Sequence, residues 1–153
     1  MYSLGASDLL GNNLHTLPVF ISEVAKEYKD NRFHNFRHAV AVLHSTFKLI
    51  TMASGNHYDG LRLFGPSTLP LFVQFTLLVS ALVHDIGHPG NTNDFEIKSN
   101  SDIARLYNKV SVLENHHISV TLDLLSRPNC NFLAYIEADK RKMFEKILRG
   151  FLL

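Results

Sequence analysis

Residues 69 to 83 form the most apolar stretch of the chain, running from Leu69 to Val83 and ending directly on His84 and Asp85. A segment this long and this apolar has to be covered on every side. It is shorter than the roughly 20 residues that a membrane span needs, and Gln74, Thr76 and Ser80 interrupt it. It therefore reads as a buried core helix, around which amphipathic elements have to pack. Thr68 followed by Pro70 suits its start, with the proline in the first turn where a missing N–H costs nothing. Gly87, Pro89 and Gly90 require it to stop near His84.

The flanking sequence supplies the amphipathic partners. Leu17, Phe20, Ile21, Val24 and Tyr28 recur at spacings of three and four, which predicts a helix over 17–29. Val40, Val42 or Leu43, Phe47 and Ile50 predict a second over 37–52. Residues 54–68 carry glycines, a proline and an asparagine and read as a loop, and a polar loop is expected from His84 to about Asn100. Ser101 or Asn100 can cap a short helix through Tyr107. Ser111 and Glu114 have capping-box spacing for a helix that Arg127-Pro128-Asn129 stops at Ser126. A last helix is predicted over 137–149. No convincing strand is found, so the fold class is all-α, a compact multi-helix domain with the histidines at helix ends and loops.

Fifteen basic residues stand against fourteen acidic ones, which gives no field for nucleic acid or an anionic membrane. Lys140-Arg141-Lys142 lies among Glu137, Asp139 and Glu145 and reads as a solvated helix face. The single cysteine, Cys130, excludes an internal disulfide and reads as a small buried residue. No signal peptide or membrane span is seen, so the expected location is cytoplasmic.

Histidine is the compositional anomaly, with nine in the chain. His34 and His38 share a helix face only if His34 is already helical. Asn31-Arg32-Phe33 reads as a turn, which puts His34 just before the helix and His38 in its first turn. Alone, this pair favours one packed and one solvated ring. His84-Asp85 changes that balance, because an ionised carboxylate at the end of an apolar helix needs a cation or several donors. Imidazole and carboxylate are ligand types for zinc, manganese or iron, and a carboxylate can bridge two ions. His88 is open between ligand, support for a ligand, and packing. Glu114 and His117 share a helix face while His116 points away, which leaves Glu114 as a cap, a partner for His117, or both. His15, His44 and His57 are read as ordinary residues.

Two segments carry a resemblance to a known family, the class I 3',5'-cyclic nucleotide phosphodiesterases, a branch of the HD-type metallohydrolases. His34-Asn35-Phe36-Arg37-His38-Ala39 resembles its His-Asn-x-x-His-Ala element. His84 to Phe95 fits its signature, His-Asp-apolar-x-His-x-small-x-x-Asn-x-apolar. Leu106-Tyr107-Asn108 and Ser111 to His117 also read as that family, and the likeness covers roughly residues 15 to 148. The resemblance implies that His38, His84 and Asp85 ligate a tighter metal, usually zinc. Asp85 would bridge to a second ion, magnesium or manganese. It implies that His34 protonates the leaving O3′, and that His88, Glu114 and His117 hold the waters of the second metal. The implied reaction is hydrolysis of cAMP or cGMP to the 5'-monophosphate.

Some family features are missing. No residue matches its second metal-binding aspartate, since Asp94, Asp102, Asp123 and Asp139 are misplaced, and the glutamine and apolar clamp that hold the purine are absent. The expected division is therefore an N-terminal segment over 1–14, the N-terminal half of a catalytic domain over 15–148, and an aberrant or truncated tail over 149–153. The alternative expectation is a non-catalytic metal-binding helical fragment or interaction module of the same family.

Overall fold

The computed structural model describes residues 9–10, 14–53 and 69–153, and among these every regular element is a helix. They are α1 (Thr16–Glu27), α2 (Phe36–Ala53), α3 (Leu71–Val83), α4 (Asn93–Lys98), α5 (Asp102–Leu106), α6 (Val112–Ser126) and α7 (Ala138–Leu152). The expected loop over 54–68, with His57 and Thr68, lies outside the described residues. No described helix is long and apolar enough to cross a membrane.

Helix α3 is the buried axis that its composition requires. Phe72, Phe75, Leu78, Val79, Leu82 and Val83 are all buried, and α2 and α7 pack against it. Its two small polar residues are satisfied within the helix, Thr76 Oγ1 donating to the Phe72 carbonyl and Ser80 Oγ to that of Thr76. Unbonded, each buried hydroxyl would cost free energy on the order of 1–3 kcal/mol. Phe132, from the turns after α6, sits edge-on to Phe20 of α1 (5.0 Å), Phe75 of α3 (5.6 Å) and Phe144 of α7 (5.9 Å). This four-ring cluster joins three helices. Cys130 is buried and free.

Four local expectations are corrected. Pro70 is the residue before α3 rather than part of its first turn. The stretch 84–100 is not all loop. Thr92 accepts the Phe95 N–H and opens the short helix α4, with Asp94 and Glu96 in the first turn and Lys98 in the last. The capping box at Ser111 does not form. Ser111 is left-handed, at φ 41°, and makes no side-chain cap bond, whereas an N-cap serine needs extended backbone. The cap comes from outside the helix: Asn93 Oδ1 accepts the Leu113 N–H at 2.9 Å, and its Nδ2 donates to both carboxylate oxygens of Glu114. Finally, α7 runs past 149 to Leu152, so Arg149, Gly150 and Phe151 continue the helix.

Candidate metal centre

A helix leaves its last carbonyls without intrahelical partners, and the end of α3 uses them to fix the site. The Ala81 carbonyl faces His84 Nδ1 at 2.9 Å, the Leu82 carbonyl accepts the Tyr28 hydroxyl at 2.9 Å, and the Val83 carbonyl accepts the Ile86 N–H at 3.1 Å. Because a carbonyl only accepts, His84 Nδ1 carries the ring proton, and the Nε2 of the neutral ring is a lone pair.

That Nε2 lies 3.2 Å from His38 Nε2 and 3.1 Å from Asp85 Oδ2, and His38 Nε2 lies 3.5 Å from the same oxygen. Two imidazole nitrogens and a carboxylate oxygen thus converge on one point. A tetrahedral zinc ion with ligands about 2.0–2.1 Å away has ligand–ligand edges of roughly 3.3 Å, so the triangle has the dimensions of one face of such a site. His38 is held in place by Asn35, whose Oδ1 accepts the His38 N–H and starts α2. As expected, His34 lies just outside α2 and His38 in its first turn.

His117 repeats the device. Its ring is buried, Nδ1 donates to the Ile86 carbonyl at 2.6 Å, and Nε2 stands 4.0 Å from Asp85 Oδ1. Asp85 therefore has His38 and His84 on one oxygen and His117 near the other. A second candidate cation group, His34, Asp85 and His88, shares the same carboxylate. His88 has the opposite polarity, because its Nδ1 accepts the Gly90 N–H at 2.9 Å. Its neutral ring must then carry the proton on Nε2, which makes it a hydrogen-bond donor at that atom. The geometry thus favours the group of His38, His84 and Asp85 as the cation site. It leaves His88 suited to hold a water or an anion.

The titration behaviour follows from this packing. Burial pushes the Asp85 carboxyl up, but the bond from His84 and the imidazoles of His84, His34 and His117 outweigh it and hold it below the ordinary carboxylate range. Burial opposes a charged His84, yet Asp85 and the Ala81 carbonyl raise its pKa. Burial, then the nearby His84, lowers His38; burial, then His34, lowers His88. Burial pushes His117 down to about 4.

The His34 ring stacks on His88, with centroids 3.9 Å apart and planes 7° from parallel, and Phe33 packs edge-on to it. Asn31 clamps the two backbones, its Nδ2 donating to the His34 carbonyl (3.1 Å) and the His88 carbonyl (2.9 Å). Both carboxylate oxygens of Glu114 accept from Asn93 Nδ2, and among the described residues Glu114 makes no bond to the Ser111 N–H or to His117. Asp94, Asp102, Asp123 and Asp139 are exposed and paired with Lys98, Arg105, Arg127 and Lys142. His44 is exposed.

Three contributors were not singled out in the sequence. In the sequence Tyr28 reads as one member of an apolar stripe and Asn31 as a turn residue. Asn93 stood in the signature without a role. Gly87, at φ +73°, passes so close to His116 that a Cβ there would lie 2.9 Å from its Nε2.

The sequence profile described as 3'5'-cyclic nucleotide phosphodiesterase matches residues 33–153. A probable 3',5'-cyclic-AMP phosphodiesterase of Caenorhabditis elegans, pde-4, is 35% identical over 136 residues, which is 87% of this chain and 18% of that protein. A cGMP-specific 3',5'-cGMP phosphodiesterase 3 of Dictyostelium discoideum is 35% identical over 126 residues, 82% of this chain and 25% of that protein. The chain thus spans a quarter or less of the length of these relatives. Among solved structures, the phosphodiesterase domain of the RhoPDE fusion protein of the choanoflagellate Salpingoeca rosetta superposes with a TM-score of 0.84 at 32% identity. It covers 99% of this chain and 44% of that one.

Proposed function

Because the chain belongs to the 3',5'-cyclic nucleotide phosphodiesterase family, we propose that it supplies the metal-binding portion of a catalytic domain that hydrolyses cAMP or cGMP to the 5'-monophosphate. Residues 15–148 form that portion in this reading, with 1–14 preceding it and 149–153 as its tail. The observation that carries the proposal is the convergence of His38 Nε2, His84 Nε2 and Asp85 Oδ2 on one point.

In this reading His38, His84 and Asp85 would hold a zinc ion, and Asp85 would also help to hold a magnesium or manganese ion. The chemistry that such cations would supply is a lowered pKa for a bound water and neutralisation of phosphate charge. The remaining work belongs to the side chains. His88 donates from Nε2 to the water or to a phosphate oxygen. His117, fixed by the Ile86 carbonyl, and Glu114, held by Asn93, would orient water on the second side of Asp85. His34 gives its proton to O3′ as the P–O3′ bond breaks and a P–OH bond forms.

In a protein that contains the whole catalytic domain, His34→Ala lowers turnover by about 100-fold or more while zinc content and fold are kept. Unchanged turnover overturns the role of His34. For the 153-residue chain itself, zinc uptake without cyclic-nucleotide hydrolysis supports the non-catalytic metal-binding module instead. Hydrolysis at an ordinary rate excludes that module.

A further inference from the structure

Tyr28 follows α1, and its ring is buried and tilted against Phe36 at 5.9 Å. Its hydroxyl makes two bonds across 54 and 57 residues of sequence, donating to the Leu82 carbonyl at 2.9 Å and accepting the Asp85 N–H at 3.3 Å. Leu82 and Asp85 are three residues apart. In the tightened last turn of a helix, a carbonyl and the N–H three residues on commonly bond each other directly. The adjacent pair does this, Ile86 N–H to the Val83 carbonyl at 3.1 Å. Between Leu82 and Asp85, the phenol oxygen stands in the place of that bond.

We propose that Tyr28 is a positioning residue for the metal centre: its hydroxyl, inserted between the Leu82 carbonyl and the Asp85 N–H, wedges the turn open and sets the direction of the Asp85 carboxylate. The inference rests on the reading of Asp85 as a metal ligand. A core position that needs only volume is filled as well by phenylalanine, and a buried hydroxyl is costly unless it is bonded. Here both bonds of the hydroxyl go to the one turn from which Asp85 departs. Tyr28 thereby supports a ligand from behind, as the Ala81 carbonyl does for His84.

The test is Tyr28→Phe in the 153-residue chain, with zinc affinity measured by competition with a chromogenic chelator. Without the hydroxyl, the Leu82 carbonyl and the Asp85 N–H can close on each other. The helix then survives, by circular dichroism, while the carboxylate rotates away from His38 and His84. Zinc affinity is expected to fall about tenfold or more. Val24→Ala, a core truncation away from the site, serves as the control for lost stability and is expected to keep its zinc affinity. Unaltered zinc affinity in Tyr28→Phe overturns the inference, as does a loss shared equally by Val24→Ala. Failure of Tyr28→Phe to fold also overturns it, because the turn is expected to close on itself. If the unsubstituted chain binds no zinc, the metal reading fails first and takes this inference with it.

Discussion

Acidification offers a direct test of how the imidazoles are buried. His117 is 3% exposed and its pKa is pushed down to about 4, from an ordinary value of 6.5. Its proton is thus accepted more readily by the unfolded chain than by the folded one. The stability that this gives is complete above pH 6.5 and is lost as the pH falls from there towards 4. At about 1.4 kcal/mol per pKa unit, acidification from about pH 7 to about pH 4.5 should cost about 2–3 kcal/mol through His117 alone. His38, His88 and His116, all lowered with burial as the first cause, act in the same direction. His84, whose pKa is raised, acts oppositely, contributing stability below 6.5 that is lost as the pH rises through its folded value. Asp85, held below its ordinary range, stays ionised through most of this window. Urea unfolding at the two pH values, with a chelator present, gives the total, and NMR titration of the His117 ring isolates its share. A His117 midpoint near 6.5, or no loss of stability on acidification, would refute the claim that burial keeps this ring neutral.

Two substitutions test the corrected local structure. Asn93→Ala removes the donor to Glu114 and the acceptor for the Leu113 N–H, so chemical denaturation should show a loss of about 2 kcal/mol or more. Ser111→Ala should stay within about 0.5 kcal/mol of the parent chain, whereas a working capping box would cost about 1 kcal/mol. Gly87→Ala imposes φ +73° on a side-chain residue and drives a Cβ against His116. It should cost on the order of 2 kcal/mol in thermal unfolding, and a His116→Ala background should recover the steric share while leaving the backbone share.

The sequence signals that worked were those carried within one element. An apolar run that ends on His84 and Asp85 leaves few alternatives to a buried helix with a charged end, and α3 has that form. The periodicities of α1 and α2 were legible for the same reason. Helix α4 escaped notice because six residues are too short to show a period, and its start depends on one Thr92 hydroxyl. The Ser111 spacing misled because a cap depends on backbone angles as well as residue type, and four residues between 100 and 111 take positive φ. Tyr28 leaves no local signal, since the atoms that give it a role lie 54 and 57 residues away, and the bond from Asn31 to His88 likewise spans 57 residues. A ring in an apolar stripe and an asparagine in a turn are adequate local descriptions of both.

Local backbone bonds at two histidines divide the polarity across Asp85. On one side, the Ala81 carbonyl turns the free lone pair of His84 towards Asp85 Oδ2 and His38. Against the cost of burial, Asp85 and the Ala81 carbonyl favour positive charge at His84. A divalent cation bound there would take the lone pair that a proton otherwise takes, so binding would compete with acid at this side of the carboxylate. On the other side, the Gly90 N–H fixes His88 with its donor at Nε2, and Asn31 ties its backbone to that of His34. That side offers a hydrogen to an acceptor such as a phosphate oxygen. One carboxylate therefore separates a place that attracts a cation from a place that attracts an anion. Both polarities are set by single backbone groups, the Ala81 carbonyl and the Gly90 N–H, rather than by the identity of the histidines alone.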